Sequence, residues 1–211
     1  AFFGGFRTAY TTVFFPVIFG TYIGIGALAH GFRLDPWWLA LSTMLVWAGP
    51  AQVILVSALG TGAAPLEVAV AVSLTGIRLL PMVVSLLPVL RGTGTRLRDL
   101  ILPAHFTSVS MWVESMRLLP ALPREHRVAM CNGLSSGFMS AAIVAGFVGF
   151  YLAGELPPLL AGALLFITPL SFLTSTARNC RTLMDKLALL FGVVFGIALT
   201  AGHVQLDLMW T

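Results

Sequence analysis

The sequence predicts an all-α fold, a polytopic transmembrane helix bundle of about seven helices. Hydrophobic residues fill 58% of the 211 positions and charged residues only 9%, whereas an ordinary soluble domain carries roughly a quarter of charged residues. So few charges cannot coat a soluble protein, and such high hydrophobicity excludes disorder. The basic residues are spread between apolar runs, so the net charge of +4 does not indicate nucleic-acid binding.

Long uncharged intervals define the predicted spans. A helix needs roughly 20 apolar residues to cross the hydrocarbon core, and five uncharged intervals reach that length. Two further apolar stretches, residues 66–90 and 100–119, carry charges within them. Helices are favoured because strand-like alternation is missing and lipid leaves no other partner for the backbone. The predicted helices are residues 8–31, 36–60, 66–90, 100–119, 127–153, 156–177 and 186–203.

We expect residues 1–211 to form a single transmembrane transporter domain. The sequence has no initiator Met and stops at Thr211 after an apolar tail, which leaves room for a further C-terminal helix. Seven Lys and Arg residues fall on the N-terminal side of the predicted topology and four on the other. The positive-inside rule then places the N-terminus in the cytoplasm.

Motifs of ATP-driven pumps and hydrolytic enzymes are missing from the sequence. It contains no Walker-type loop, no nucleophile elbow and no HExxH, which are the signatures of those activities. The two Cys and four His residues have no metal-ligand spacing. The sequence therefore predicts neither an enzyme nor a bound metal or other cofactor.

Arg78 is the sharpest functional candidate. It lies midway through the third predicted helix, where an arginine costs roughly 2.5–3.5 kcal/mol on insertion scales. Thr75 precedes it on the same helical face and joins the candidate site. The alternative is structural: Arg78 snorkels, or it caps backbone carbonyls that Pro81 leaves without a donor and so holds helices together.

Gly49 and Pro50 predict a break near the middle of the second helix. Pro50 has no N–H, and its ring crowds the carbonyl of Val46. Gln52 then places an amide deep in an apolar run. Transporters build substrate sites at such discontinuous helices. The alternative is an ordinary proline kink, with Gln52 hydrogen-bonded across a helix interface.

The fourth predicted helix is polar on two faces, which indicates that it lines a cavity or the bundle interior. We expect Glu114 and Arg117 to pair near the membrane interface. His105 lies deeper and can exchange a proton near neutral pH, although a neutral, hydrogen-bonded histidine fits the pattern equally. The faces consist of Thr107, Ser110, Glu114 and Arg117, and of His105, Ser108, Trp112 and Ser115.

The sixth predicted helix repeats part of this pattern. Thr168 and Ser171 flank Pro169 there, so a proline again lies mid-helix beside hydroxyl groups. The spacing from Pro157 to Pro169 is similar to that from Pro36 to Pro50. This similarity indicates an internal repeat with two interrupted helices, which is the arrangement that marks transporter sites.

Several segments, taken in order, resemble the AzlC-type branched-chain amino-acid exporters of bacteria. The segments are Ala29-His30-Gly31, Val46-Trp47-Ala48-Gly49-Pro50-Ala51-Gln52, Ile77-Arg78-Leu79-Leu80-Pro81 and Leu87-Pro88-Val89-Leu90-Arg91-Gly92. The resemblance is best over residues 15–95. Family members commonly have Asn where this chain has Gly76, and an acidic pair where it has residues 104–107.

The resemblance implies a secondary transporter in the bacterial inner membrane. It would export branched-chain or other small apolar amino acids together with a small membrane subunit of the AzlD type, driven by the proton gradient or by exchange. Two alternatives stay open: a non-transporting assembly subunit, and a channel or carrier for another small anion.

An amino-acid substrate needs partners for both of its charges. Arg78 would pair its carboxylate, with Thr75 and Gly76 beside it, and Thr168 and Ser171 would add hydroxyl groups. Carbonyls near Gly49 and Pro50 and the oxygen of Gln52 would accept from its ammonium group. Trp47 would contribute an apolar wall, and His105 is the candidate for proton coupling.

Overall fold

The computed structural model describes residues 1–92, 94–155 and 183–201, together with residues 157, 160, 170 and 177. Every regular element in these residues is helical, which confirms the all-α class. The elements are α1 Phe2–Thr11, α2 Phe14–Gly31, α3 Pro36–Leu45, α4 Gly49–Gly60, α5 Pro65–Ile77, α6 Leu80–Leu90, α7 Leu97–His105, α8 Val109–Leu118, a 3-10 turn Leu119–Ala121, α9 Arg124–Glu155 and α10 Leu183–Ala201.

The long helix α9 is the centre of the fold and packs along α1 and α2. Glycines permit this close approach. A Cβ atom at Gly133 would overlap the carbonyl oxygen of Phe2, and one at Gly149 would overlap that of Ile23. The core on this surface includes Ile25 and Phe138, neither of which has exposed area. The backbones of α9, α1 and α2 are therefore in direct contact, with little side-chain material between them.

Two described helices, α2 and α9, are long and apolar enough to cross a membrane. A third span results if α5 and α6, which meet at an angle of 52°, are taken as one. The prediction of about seven spans is therefore not confirmed in the part of the chain that the structure describes. Helix 127–153 corresponds to α9 and helix 186–203 overlaps α10, whereas most of helix 156–177 lies outside the described residues.

Each of the first four predicted helices is two helices separated by a short break, and only the break in the second was predicted, so the first, third and fourth are wrong as continuous elements. The breaks fall at residues 12–13, 46–48, 78–79 and 106–108. Three of them precede a proline in the first turns of the next helix, namely Pro16, Pro50 and Pro81. Proline offers no N–H to the carbonyl four residues earlier, so the hydrogen-bond ladder stops there.

The break at residues 106–108 has a different cause. The hydroxyl of Thr107 donates to the carbonyl of Pro103 at 2.7 Å, while its N–H bonds the Ala104 carbonyl at 3.3 Å. Ser108 then begins α8 in an extended conformation, and its side chain accepts from the N–H of Met111 at 3.4 Å. Serine and threonine hydroxyls compete with the helical ladder in this way, so the fourth predicted helix ends where its polar residues cluster.

Candidate functional site

The break between α3 and α4 lies in the middle of a predicted span. The carboxylate of Asp35 caps the start of α3 by accepting from the N–H groups of Trp37 and Trp38 at 2.8 and 2.9 Å. The chain leaves the helical conformation at Val46, and Ala48 is extended, with φ −153° and ψ 113°. The break predicted from Gly49 and Pro50 is therefore confirmed, and the alternative of a continuous kinked helix is wrong.

Gln52 joins the two halves of this interrupted span. Its side chain has no exposed area, and Nε2 donates to Ser42 Oγ at 2.9 Å and Thr43 Oγ1 at 3.0 Å. Turning the amide by 180° keeps both hydroxyl contacts and lets the nitrogen donate to the Val46 carbonyl at 2.9 Å. In either orientation Gln52 bonds across the interface between α4 and α3, as its structural alternative predicted. Its contact with a substrate stays a prediction.

A second break meets the first. His105, the last residue of α7, has its Nε2 3.0 Å from the carbonyl oxygen of Met44 in α3. Phe106 follows it, and its ring faces the edge of Trp47 with 6.5 Å between ring centroids. The structure therefore brings His105 and Trp47 to one place, which we call the junction: Met44–Gly49 of the first interrupted span and His105–Ser108 of the second.

The hydrogen bond at the junction fixes the chemistry of His105. A carbonyl oxygen can only accept, so Nε2 must carry the hydrogen and Nδ1 is the nitrogen left for proton exchange. The imidazole is exposed on the described part of the chain and lies edge-on to Phe106, with 4.8 Å between centroids. The depth of His105 in the membrane and its role in proton coupling both stay predictions.

Tyr22 adds a functional candidate that the sequence did not reveal. Its ring stacks on Trp47 with 5.9 Å between centroids and 19° between planes. Both residues are buried, with exposed fractions of 4% and 6%. Trp47 Nε1 is buried and has no hydrogen-bond partner among the described residues. Trp47 thus carries a free polar group as well as the apolar wall that was predicted for it.

Arg78 lies at the bend between α5 and α6. Its side chain is exposed, and within the described ranges it forms no hydrogen bond or ion pair, so it caps no carbonyl there. The neighbouring Thr75 hydroxyl bonds the Ala71 carbonyl at 2.9 Å, and a Cβ atom at Gly76 would meet no atom within 4 Å. Among the described residues, no hydrogen bond, ion pair or ring contact connects Thr75, Gly76 or Arg78 with the junction.

Two pairs of polar candidates remain. The predicted contact between Glu114 and Arg117 is confirmed, whereas the other pair lies outside the described residues. Glu114 is buried and accepts from Arg117, with Nε and Oε2 3.1 Å apart, as predicted for these two residues. Thr168 and Ser171, and with them the second half of the proposed repeat, lie outside the described residues. In the described ranges, no group of three or more His, Cys, Asp or Glu side chains is arranged to hold a metal ion.

Of three comparisons with known proteins, one gave a match. Searches of curated proteins and of solved structures each gave no match. A family model described as AzlC protein matches residues 13–156, which is more than half of the chain and includes both interrupted spans of the junction. The chain therefore belongs to the AzlC protein family, whose role is in membrane transport.

Proposed function

We propose that the protein is a secondary transporter that exports branched-chain or other small apolar amino acids across the bacterial inner membrane. A small AzlD-type membrane subunit would be its partner, and its N-terminus would lie in the cytoplasm. The observation that carries the proposal is the junction, where two interrupted helices touch at their breaks through His105 and Met44. Interrupted helices expose backbone donors and acceptors inside a membrane, which is how transporters bind charged solutes.

The chemistry of the junction suits a zwitterion with an apolar side chain. No side chain caps the start of α4, so the N–H groups of Gly49 and Ala51 are its donors for an anion at the positive end of the helix. Pro50 has no N–H, and the N–H of Gln52 bonds the Ala48 carbonyl at 2.8 Å. Carbonyl groups at the end of α3 can accept from an ammonium group. Trp47 and Phe106 supply apolar walls for an aliphatic side chain.

The short helices are compatible with the predicted topology. We propose that three of the broken pairs cross the membrane as one span each: α3 with α4, α5 with α6 and α7 with α8. They make three of the about seven predicted spans. Irregular backbone at membrane depth is tolerated where protein buries it. The contacts of Gln52 with Ser42 and Thr43 support this for the first pair, since they satisfy polar groups at its break.

The proposal is tested by counterflow of labelled leucine and valine in proteoliposomes. The transporter, with and without its partner subunit, should show saturable exchange that protein-free liposomes lack. Absence of exchange for every amino acid, with a stable two-subunit complex, would contradict it and favour an assembly subunit. Exchange of a small carboxylic acid without an amino group, but not of leucine, would instead assign another anion as the substrate.

The exposure of Arg78 favours that assembly role as a second candidate function. An arginine inside a membrane needs a partner, and none of the described residues supplies one, so the partner is the substrate or lies on another subunit. Arg78→Ala and Arg78→Lys should abolish exchange in both cases. Loss of exchange with the complex intact indicates substrate pairing, whereas loss of co-purification indicates a subunit contact. Arg98→Ala is the matched control, because that side chain is 71% exposed beyond the junction.

A further inference from the structure

Trp47, in the junction, carries a buried polar group that no described residue satisfies. Its Nε1 is fully buried and has no hydrogen-bond partner there. The ring stacked against it, that of Tyr22, carries a hydroxyl that can also donate. Unpartnered buried donors are rare in folded proteins, and lipid offers no water to replace the missing acceptor. Trp47 Nε1 therefore indicates an acceptor that the described residues do not provide.

We propose that Trp47 Nε1 and the Tyr22 hydroxyl bind the carboxylate of the transported amino acid, an assignment that rests on the function proposed above. An indole N–H can only donate, and a carboxylate can only accept. The carboxylate has enough lone pairs to take both donors, and hydrogen bonds to a charged acceptor are the stronger kind. An ammonium group, which only donates, cannot satisfy Trp47.

The position of Trp47 in the chain also favours the carboxylate as the group that binds there. Trp47 belongs to the break itself and is followed by Ala48, after which α4 begins at Gly49 without a side-chain cap. The positive end of a helix favours a negative group near its first turn. The two aromatic donors and the start of α4 thus favour the same charge.

The other polar groups of the region are already engaged or lie apart. Gln52 is bonded to Ser42 and Thr43, and His105 to the Met44 carbonyl. Arg78 makes no contact with Tyr22 or Trp47 among the interactions of the described residues. Trp47 and Tyr22 therefore form a carboxylate site distinct from the α5–α6 bend, whose arginine acts at another step of transport or on another subunit.

The experiment compares variants that remove single donors. Tyr22→Phe deletes only the hydroxyl oxygen, and Trp47→Phe deletes the indole N–H together with part of the ring. Matched controls exist for both substitutions. Tyr10→Phe removes a hydroxyl that bonds Ser140 Oγ at 2.8 Å, and Trp112→Phe removes an N–H that bonds Ser85 Oγ at 2.9 Å.

The measurement is calorimetric binding of leucine and of leucinamide, which lacks the charged carboxylate, to the purified transporter complex. Each junction variant should weaken leucine binding by about 10- to 100-fold, the range for a hydrogen bond to a charged group, and change leucinamide binding little. Both controls should keep the wild-type ratio of the two affinities. The melting temperature of each unliganded variant is measured alongside, so that a loss of binding is separated from a loss of folded protein.

Two results would overturn the assignment. If wild-type protein binds leucine and Tyr22→Phe keeps the wild-type ratio of leucine to leucinamide affinity, the carboxylate is bound elsewhere and the proposed function stands. If wild-type protein binds no amino acid, the proposed function fails and the assignment fails with it. A ratio that falls in Tyr22→Phe but not in Tyr10→Phe supports it.

Discussion

The helix α9 and the helix pair α3 and α4 show two opposite uses of small and cyclic residues in one membrane protein. Helix α9 runs unbroken from Arg124 to Glu155, contains no proline, and uses glycines to touch the backbones of α1 and α2. The pair α3 and α4 has Gly49 and Pro50 at its centre and is broken there. The comparison teaches that glycine alone permits packing, whereas glycine beside proline opens the backbone for polar contacts.

The largest expected effect tests the packed side of this comparison. A valine at Gly133 would place its Cβ atom on the carbonyl oxygen of Phe2, and backbone of this kind cannot move aside. Gly133→Val should cost more than about 3 kcal/mol, the upper range for overpacking, and should abolish well-folded protein. Size-exclusion chromatography of detergent extracts measures this. Gly192→Val is the control, since nothing lies within 4 Å of its Cβ position; equal behaviour of the two variants would refute packing by Gly133.

An intermediate effect is expected where the interrupted span is held together. Gln52→Leu removes the amide that bonds Ser42 and Thr43 and should lower the unfolding free energy by about 1–3 kcal/mol, the cost of leaving buried polar groups unsatisfied. Thermal denaturation followed by light scattering measures the shift. Thr61→Val, which deletes a hydroxyl that bonds only its own helix, should shift the melting temperature less. If Gln52→Leu has the melting temperature of the wild type, the amide does not stabilise the break.

The smallest structural effect, but a specific functional one, is expected at His105. His105→Gln keeps a donor for the Met44 carbonyl but cannot titrate near neutral pH, so its stability should match the wild type. If Nδ1 carries the coupled proton, the pH dependence of leucine exchange between about pH 5 and 8 should disappear. His126→Gln, at an exposed histidine near Glu125, should keep the wild-type profile. A pH profile that His105→Gln leaves intact would remove His105 from proton coupling.

The sequence predicted those features of the fold that have local causes. Pro50 has no N–H for the Val46 carbonyl and follows a glycine, so the break at residues 46–48 could be located without any tertiary information. Thr107 and Ser108 were read as a polar helix face, because a hydroxyl can point outward or bond its own backbone and the sequence does not tell which. The division of the fourth predicted helix was therefore missed.

The candidate site was predictable only in part, because its contacts are tertiary. Trp47 and His105 were named for separate reasons, and nothing local indicated that they meet. Tyr22 lies in an apolar helix, and no local sequence pattern marks it as functional. Its stacking on Trp47 depends on how α2 packs against the break. Arg78 was predicted inside one helix, and its place at the bend between α5 and α6, like its exposure on the described chain, required the structure.

The stack of Tyr22 on Trp47 has a mechanical consequence. Tyr22 belongs to α2, whose backbone contacts α9 at Gly149, whereas Trp47 belongs to the break between α3 and α4. The two donors therefore lie on different structural elements. Any movement that separated the break from α2 would pull the donors apart and weaken the binding of a carboxylate between them, so that movement and release of the solute would be coupled.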